Sequence, residues 1–176
     1  MQRVNSAKNN ANSGIKLLDG GGGGVEPFHC IRPFPTALFP SKEGFVVNPH
    51  RRPSGNSHIP AIEILKLTSS SPLTLRTVLI VEVKNTDEWP TGIPALERQL
   101  TTQTDAAFVG TDAAFIGAAH AEVYWIGAMG PHWRYGKKDQ DDGQDLVTPL
   151  IEWHHTLHDA ASFADLQKLV ALVNAL

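Results

Sequence analysis

Leu75-Arg76-Thr77-Val78-Leu79-Ile80-Val81-Glu82-Val83-Lys84 is an apolar run that ends in a carboxylate and an ammonium two positions apart. Residues i and i+2 of a β-strand share a face, so Glu82 and Lys84 emerge side by side where the apolar stretch stops. A divalent metal takes hard oxygen ligands, and a nearby lysine orients a water or offsets charge on a phosphate. Glu-x-Lys at a strand end therefore suits phosphodiester hydrolysis. The competing reading is plainer: the pair ends a buried strand and sends its charges to water. Short patterns match by accident, and three residues alone favour the plainer reading.

Working upstream, residues 59–67 read as a strand, and Ser69-Ser70-Ser71-Pro72 as the turn that makes a hairpin with the strand ending in Lys84. Downstream, after the loop from Asn85 to Ile93, Pro94 is placed as a first helical residue. Leu96 and Leu100 then share one helical face. The helix contains the tandem repeat Thr104–Gly110 and Thr111–Gly117. Either the second copy lengthens the helix by two turns with little rotation, or Gly110 ends it and the copy is a surface insertion. Ala121–Met129 reads as a further buried strand, Gly130-Pro131 as a turn, and His132–Tyr135 as its partner. The polar run Lys137–Asp145 resembles a calcium loop, but Gly143 stands at a ligand position, which favours a solvated loop. Leu146–Trp153 supplies one more strand. A capped amphipathic helix starts at Ser162, with Asp165 three residues on and Phe163, Leu166, Val170 and Val173 at helical spacing. The expected fold is α/β (α+β), a central mixed β-sheet of about four to six strands flanked by helices.

Residues 1–24 are polar and end in five glycines, Gly20–Gly24, which reads as a flexible N-terminal segment without the Lys-Ser/Thr of a phosphate loop. Residues 25–176 form a single domain. Prolines at 27, 33, 35, 40, 49, 53 and 60 leave room only for short extended pieces such as Gly44–Val47, and no strong helix is expected before the first main strand.

With 176 residues and 41% hydrophobic content, the chain can bury one ordinary core. Fifteen Lys and Arg against 18 Asp and Glu give a net charge of −3, which counts against a protein that coats nucleic acid non-specifically. A metal-dependent nuclease is not excluded, because its cations bring their own charge. Cys30 is the sole cysteine, so neither an internal disulfide nor a cysteine-based zinc cluster is available. No signal peptide or membrane-length apolar stretch is read, and the expectation is a soluble intracellular protein, cytoplasmic or nuclear.

Two strands, a Glu-x-Lys ending the second, a helix and another strand resemble the core of the PD-(D/E)XK nuclease-like superfamily. The stretch from about Pro60 to Leu176 is similar to fungal proteins assigned to it. The resemblance is carried by Val81-Glu82-Val83-Lys84, by the helix with Gln99 and Gln103, and by the stretch from Trp125 to Gly136. It implies a restriction-endonuclease-like core and Mg²⁺- or Mn²⁺-dependent cleavage of phosphodiester bonds, with metal held by an acid of a first half-motif and by Glu82. Lys84, assisted by Gln99, would position the attacking water. The first half-motif departs from the pattern: Pro60 is followed by Ala61, which has no oxygen to offer. Glu63, about 6–7 Å further along the same strand face, is the substitute metal ligand. The N-terminal helix that donates another acid in many relatives has no equivalent. The chain is thus either a degenerate member or one whose N-terminal part is truncated or replaced. The alternative function is an inactive nuclease-fold scaffold that binds protein or nucleic acid.

Other groupings carry less. His154 and His158, four apart with His155 alongside, suit a helical metal site but lack His-Glu-x-x-His and read as surface histidines. His58 and His132 are candidates to approach the Glu82 edge. No Gly-x-Ser-x-Gly elbow supports a serine hydrolase. Gln99 and Gln103 either orient a substrate beside the edge or lie on a solvated helix face. The four tryptophans read as core or rim rather than as a stacking platform.

Overall fold

The computed structural model describes residues 34–50, 61–71, 73–84, 89–110, 122–140 and 146–176. The expectations for residues 1–24, His58, Pro60, the second copy of the repeat and residues 141–145 of the polar loop lie outside these residues. A short helix α1 (Phe34–Leu38) and a 3₁₀ turn (Ser41–Glu43) lead into β1 (Phe45–Pro49). Then come β2 (Ile62–Ser70), β3 (Leu73–Lys84), helix α2 (Trp89–Gly110), β4 (Glu122–Met129), β5 (His132–Asp139), β6 (Thr148–Pro149) and helix α3 (Ala160–Asn174).

The six strands form one sheet in sequence order, β1 to β6. All neighbours are antiparallel except β3 and β4, which run parallel. Parallel neighbours need a crossover, and α2 supplies it. This is the mixed sheet with flanking helices that the hydrophobic pattern implies.

Alternation along β3 sorts the two faces. Leu79, Val81 and Val83 enter one core with Tyr124, Ala128 and Trp133 of the neighbouring strands and Leu166, Leu169 and Val173 of α3. Ile80 enters the other with Val123, Trp125 and Met129 of β4 and Leu96, Leu100 and Phe108 of α2. Full burial of each such side chain contributes about 1.5–3 kcal/mol.

Several boundaries differ from the sequence reading. Helix α2 starts at Trp89, so Pro94 lies inside it. Pro90 already occupies the first turn, where the ring is tolerated, and Pro94 forgoes one bond toward the Pro90 carbonyl. Helix α3 starts at Ala160, capped by Asp159, whose side chain accepts the Ser162 N–H at 2.7 Å. Ser162 is instead fully buried and accepts a hydrogen bond from Trp133 Nε1 at 2.8 Å. The buried stripe of α3 is therefore Ser162, Leu166, Leu169 and Val173, while Phe163 is half exposed. The last strand shrinks to Thr148–Pro149, and α1, only five residues long, is a helical turn in the proline-rich lead-in.

The stretch from Trp125 to Gly136 has a packing explanation. A Cβ at Gly127 would stand 3.0 Å from Leu96 Cδ2 and 3.2 Å from Leu100 Cδ1, so the missing side chain lets α2 lie close on β4. A Cβ at Gly136 would meet the Thr148 carbonyl oxygen at 2.0 Å and the Trp125 ring at 2.4 Å. The absence of a side chain there admits the indole. Gly130 turns β4 into β5 at φ +56°, a conformation glycine adopts without strain.

Candidate functional site

The sheet register determines what faces α2. Glu82 aligns with Gly127 and then Arg134; Lys84 aligns with Met129 and then His132. On the other side, Glu63 aligns with Ile80, and continuing the pairing of Ile62 with Val81 sets Ala61 opposite Glu82. Glu63, Glu82, Lys84, Arg134 and His132 thus share the face that α2 covers.

Over this face, α2 presents Leu96, Gln99, Leu100, Gln103, Thr104 and Phe108, all buried at spacings of three and four. The two glutamines sit inside an otherwise apolar stripe, which overturns the solvated-face reading. Gln103 Nε2 donates to Glu82 Oε2 at 3.0 Å, and Lys84 Nζ donates to Gln99 Oε1. Glu82 is fully buried. A carboxylate out of water is costly unless it is hydrogen-bonded, and the Gln103 amide supplies such a bond. Lys84, at the strand end, is partly exposed. The amide nitrogen of Gln99 is buried with no hydrogen-bond partner among the described residues.

Glu63 makes different contacts. Thr77 Oγ1 donates to its Oε1 at 2.5 Å, and His50 Nε2 lies 3.2 Å from its Oε2. Thr77 precedes Ile80 on β3, so this contact draws the carboxylate away from Glu82 rather than toward it. The two acids are thus engaged by separate protein groups.

Sequence reasoning missed the charged pairs that flank the glutamines. Arg134 of β5 donates to Glu97 of α2, with its guanidinium carbon 4.6 Å from the centre of the Trp153 ring. Lys138 donates to Asp105 at 2.5 Å. The available signal was Arg134 and Lys138 four apart on a strand and Glu97 and Asp105 eight apart on a helix. Each pair shares a face of its own element.

The donor set does not by itself fit Mg²⁺ or Mn²⁺. Such ions need several oxygen ligands, Ala61 offers none from its side chain, and Glu63 is held by Thr77 and His50. Among the described residues no three His, Cys, Asp or Glu side chains gather as a metal-binding group. The histidines singled out at 154, 155 and 158 lie in the loop before α3 rather than on a helix, and His154 Nε2 meets Asp165 at 2.9 Å. Trp125 and Trp133 are buried, whereas Trp89 and Trp153 are partly exposed and pack edge-on, with Trp89 also against His132. No described helix is long and apolar enough to cross a membrane. Comparison with protein-family models, curated proteins and solved structures finds no match, so the functional reading rests on this geometry and on the Glu-x-Lys pattern.

Proposed function

We propose that the chain is a nuclease-like domain that binds without cleaving, a scaffold for a protein or nucleic-acid partner. The observation that carries this reading is the engagement of both candidate metal-binding acids by the protein itself. Glu82 is fully buried against Gln103, and Glu63 is held by Thr77 and His50. The Glu-x-Lys pair then anchors the β3–α2–β4 unit instead of serving a reaction.

A second reading is favoured by one arrangement. Lys84 and Gln99 meet at the partly exposed end of β3, beside Glu82, where a phosphodiester hydrolase of this pattern needs them. In that reading Mg²⁺ or Mn²⁺ is held by Glu82 and Glu63, and Lys84 and Gln99 position the water; it requires both acids to release their present partners.

The two readings separate in one assay. The full chain is incubated with Mg²⁺ or Mn²⁺ and single- or double-stranded DNA or RNA, alongside Glu82→Gln and Ala61→Asp. The scaffold reading expects no cleavage by the native chain. Cleavage that disappears in Glu82→Gln overturns it in favour of the hydrolase, and loss in Glu63→Gln as well identifies Glu63 as the migrated acid. Cleavage gained only in Ala61→Asp supports a scaffold that has lost its first acid.

A further inference from the structure

Two histidines distant in sequence are brought together at the start of β5. Trp133 and His154 form an isolated antiparallel bridge, with N–H to O contacts of 3.0 Å and 2.8 Å in the two directions. Their side chains turn toward α3, where Trp133 reaches Ser162 and His154 reaches Asp165. The next residues on each side, His132 and His155, therefore turn together toward the opposite face. Their Nδ1 atoms lie 3.0 Å apart, and the rings are nearly perpendicular, at 85°. Trp89 packs edge-on against His132 with ring centres 4.7 Å apart, which holds that imidazole in place. His132 is partly exposed and His155 is exposed, so the pair lies at the surface.

We propose that His132 and His155 form a two-histidine site for a borderline-soft divalent ion such as Zn²⁺, Ni²⁺ or Cu²⁺. Imidazole nitrogens about 2.0–2.1 Å from such an ion are about 2.9 Å apart at a right angle and about 3.4 Å apart at the tetrahedral angle. The observed 3.0 Å falls within this span. In the metal-free pair, one Nδ1 carries the proton that the other accepts. When the ion binds, that proton moves to Nε2 of the same ring through solvent, and both Nδ1 lone pairs become donors with no net change in protonation. The remaining positions on the ion belong to water or to an incoming ligand. Imidazole suits these ions, whereas Mg²⁺ requires oxygen. The site is independent of the Glu82 edge and does not rest on either reading of it.

The test is titration of the full chain with ZnCl₂, NiCl₂ or CuCl₂ at about pH 7.5, followed by calorimetry and by the thermal midpoint. The expected result is a saturable heat for a single ion, with a rise in midpoint. It should disappear in His132→Gln and in His155→Gln, each of which leaves the ion a single imidazole. His158→Gln should retain it, because that side chain lies outside the pair. Since His155 is exposed, His155→Gln preserves the fold, and an unchanged circular dichroism spectrum checks this. Either no saturable binding by the native chain or binding that survives in His155→Gln overturns the proposal.

Discussion

The two faces of the sheet are built by different rules. Toward α3 the buried side chains are apolar or aromatic, with Ser162 the buried polar residue among those described. Toward α2, Thr77, Glu82, Gln99, Gln103, Thr104, Arg134 and Lys138 are all buried. Burying polar and charged groups seldom raises stability over well-packed apolar ones. Both faces gain folding energy from apolar burial, but only the α2 face also buries charged and amide side chains, which add little to it. Perturbed and buried polar groups concentrate at functional sites for that reason, although structural networks also produce them.

The sharpest way to test this contrast is to remove volume on the α3 side. Leu169 is fully buried in the larger core. Leu169→Ala should cost about 2–5 kcal/mol by urea denaturation, from lost burial and the residual cavity. A cost under about 1 kcal/mol would show that the α3 side is loosely packed and that the contrast is mistaken. A smaller effect is expected from adding volume on the α2 side. Gly136→Ala places a methyl against the Thr148 carbonyl and the Trp125 ring, and should cost about 1–3 kcal/mol by overpacking. Its effect should be read from both tryptophan fluorescence and the denaturation midpoint, since the Thr148 backbone and the indole must both move for the methyl to fit. An unshifted spectrum with unchanged stability would remove the packing account of this glycine.

How far the sequence revealed this contrast depends on periodicity. The continuous apolar run of β3 and the Leu96–Leu100 spacing of α2 mark the strand, the helix after it and the Glu82–Lys84 edge, because burial leaves its imprint on the chain. Gln99 and Gln103 fell on that stripe, but a polar residue on a helix is read by default as solvated, and only packing shows otherwise. Helices α2 and α3 start upstream of Pro94 and Ser162 because Pro90 fits the first turn of α2 and Asp159 caps α3. The meeting of His132 with His155 and the capture of Glu63 by Thr77 and His50 depend on strand register across distant segments, which local patterns do not encode.

A third test concerns pH on the α3 side. Asp165 accepts from Lys168 at 2.7 Å and lies 2.9 Å from His154 Nε2, linking α3 to the bridge beside β5. The Lys168 hydrogen bond, and then that of His154, hold its carboxyl below the ordinary aspartate value of 3.8, against the opposing effect of burial. A depressed folded-state pKa contributes stability that is fully present above the unfolded value. That stability is lost as pH falls from about 4 through the folded value. Asp165→Asn should therefore lower the thermal midpoint at neutral pH and flatten its decline below about pH 4. The change should be smaller than either packing effect, because Lys168 is exposed and its contact is screened by water. Parallel acid-limb profiles for the native chain and the variant would assign the acid sensitivity to other carboxylates.

The smallest net effect is expected where the α2 face holds its buried carboxylate. Glu82→Met alone leaves the Gln103 amide without the acceptor it meets at 3.0 Å, a loss of about 1–3 kcal/mol. Adding Gln103→Met replaces both members by unbranched apolar chains of similar length. The double variant should return to within about 1 kcal/mol of the native chain or exceed it, since a buried polar pair gains little over apolar packing. The coupling between the two changes, measured as a double-mutant cycle in urea, should then be favourable by most of the single-variant loss. If the double variant is instead as unstable as the sum of the singles, the pair is indispensable to the core and its burial is structural. If it recovers full stability while partner binding or cleavage is lost, the polar character of this face is retained for function, and the two sides of the sheet divide the work of folding and of recognition.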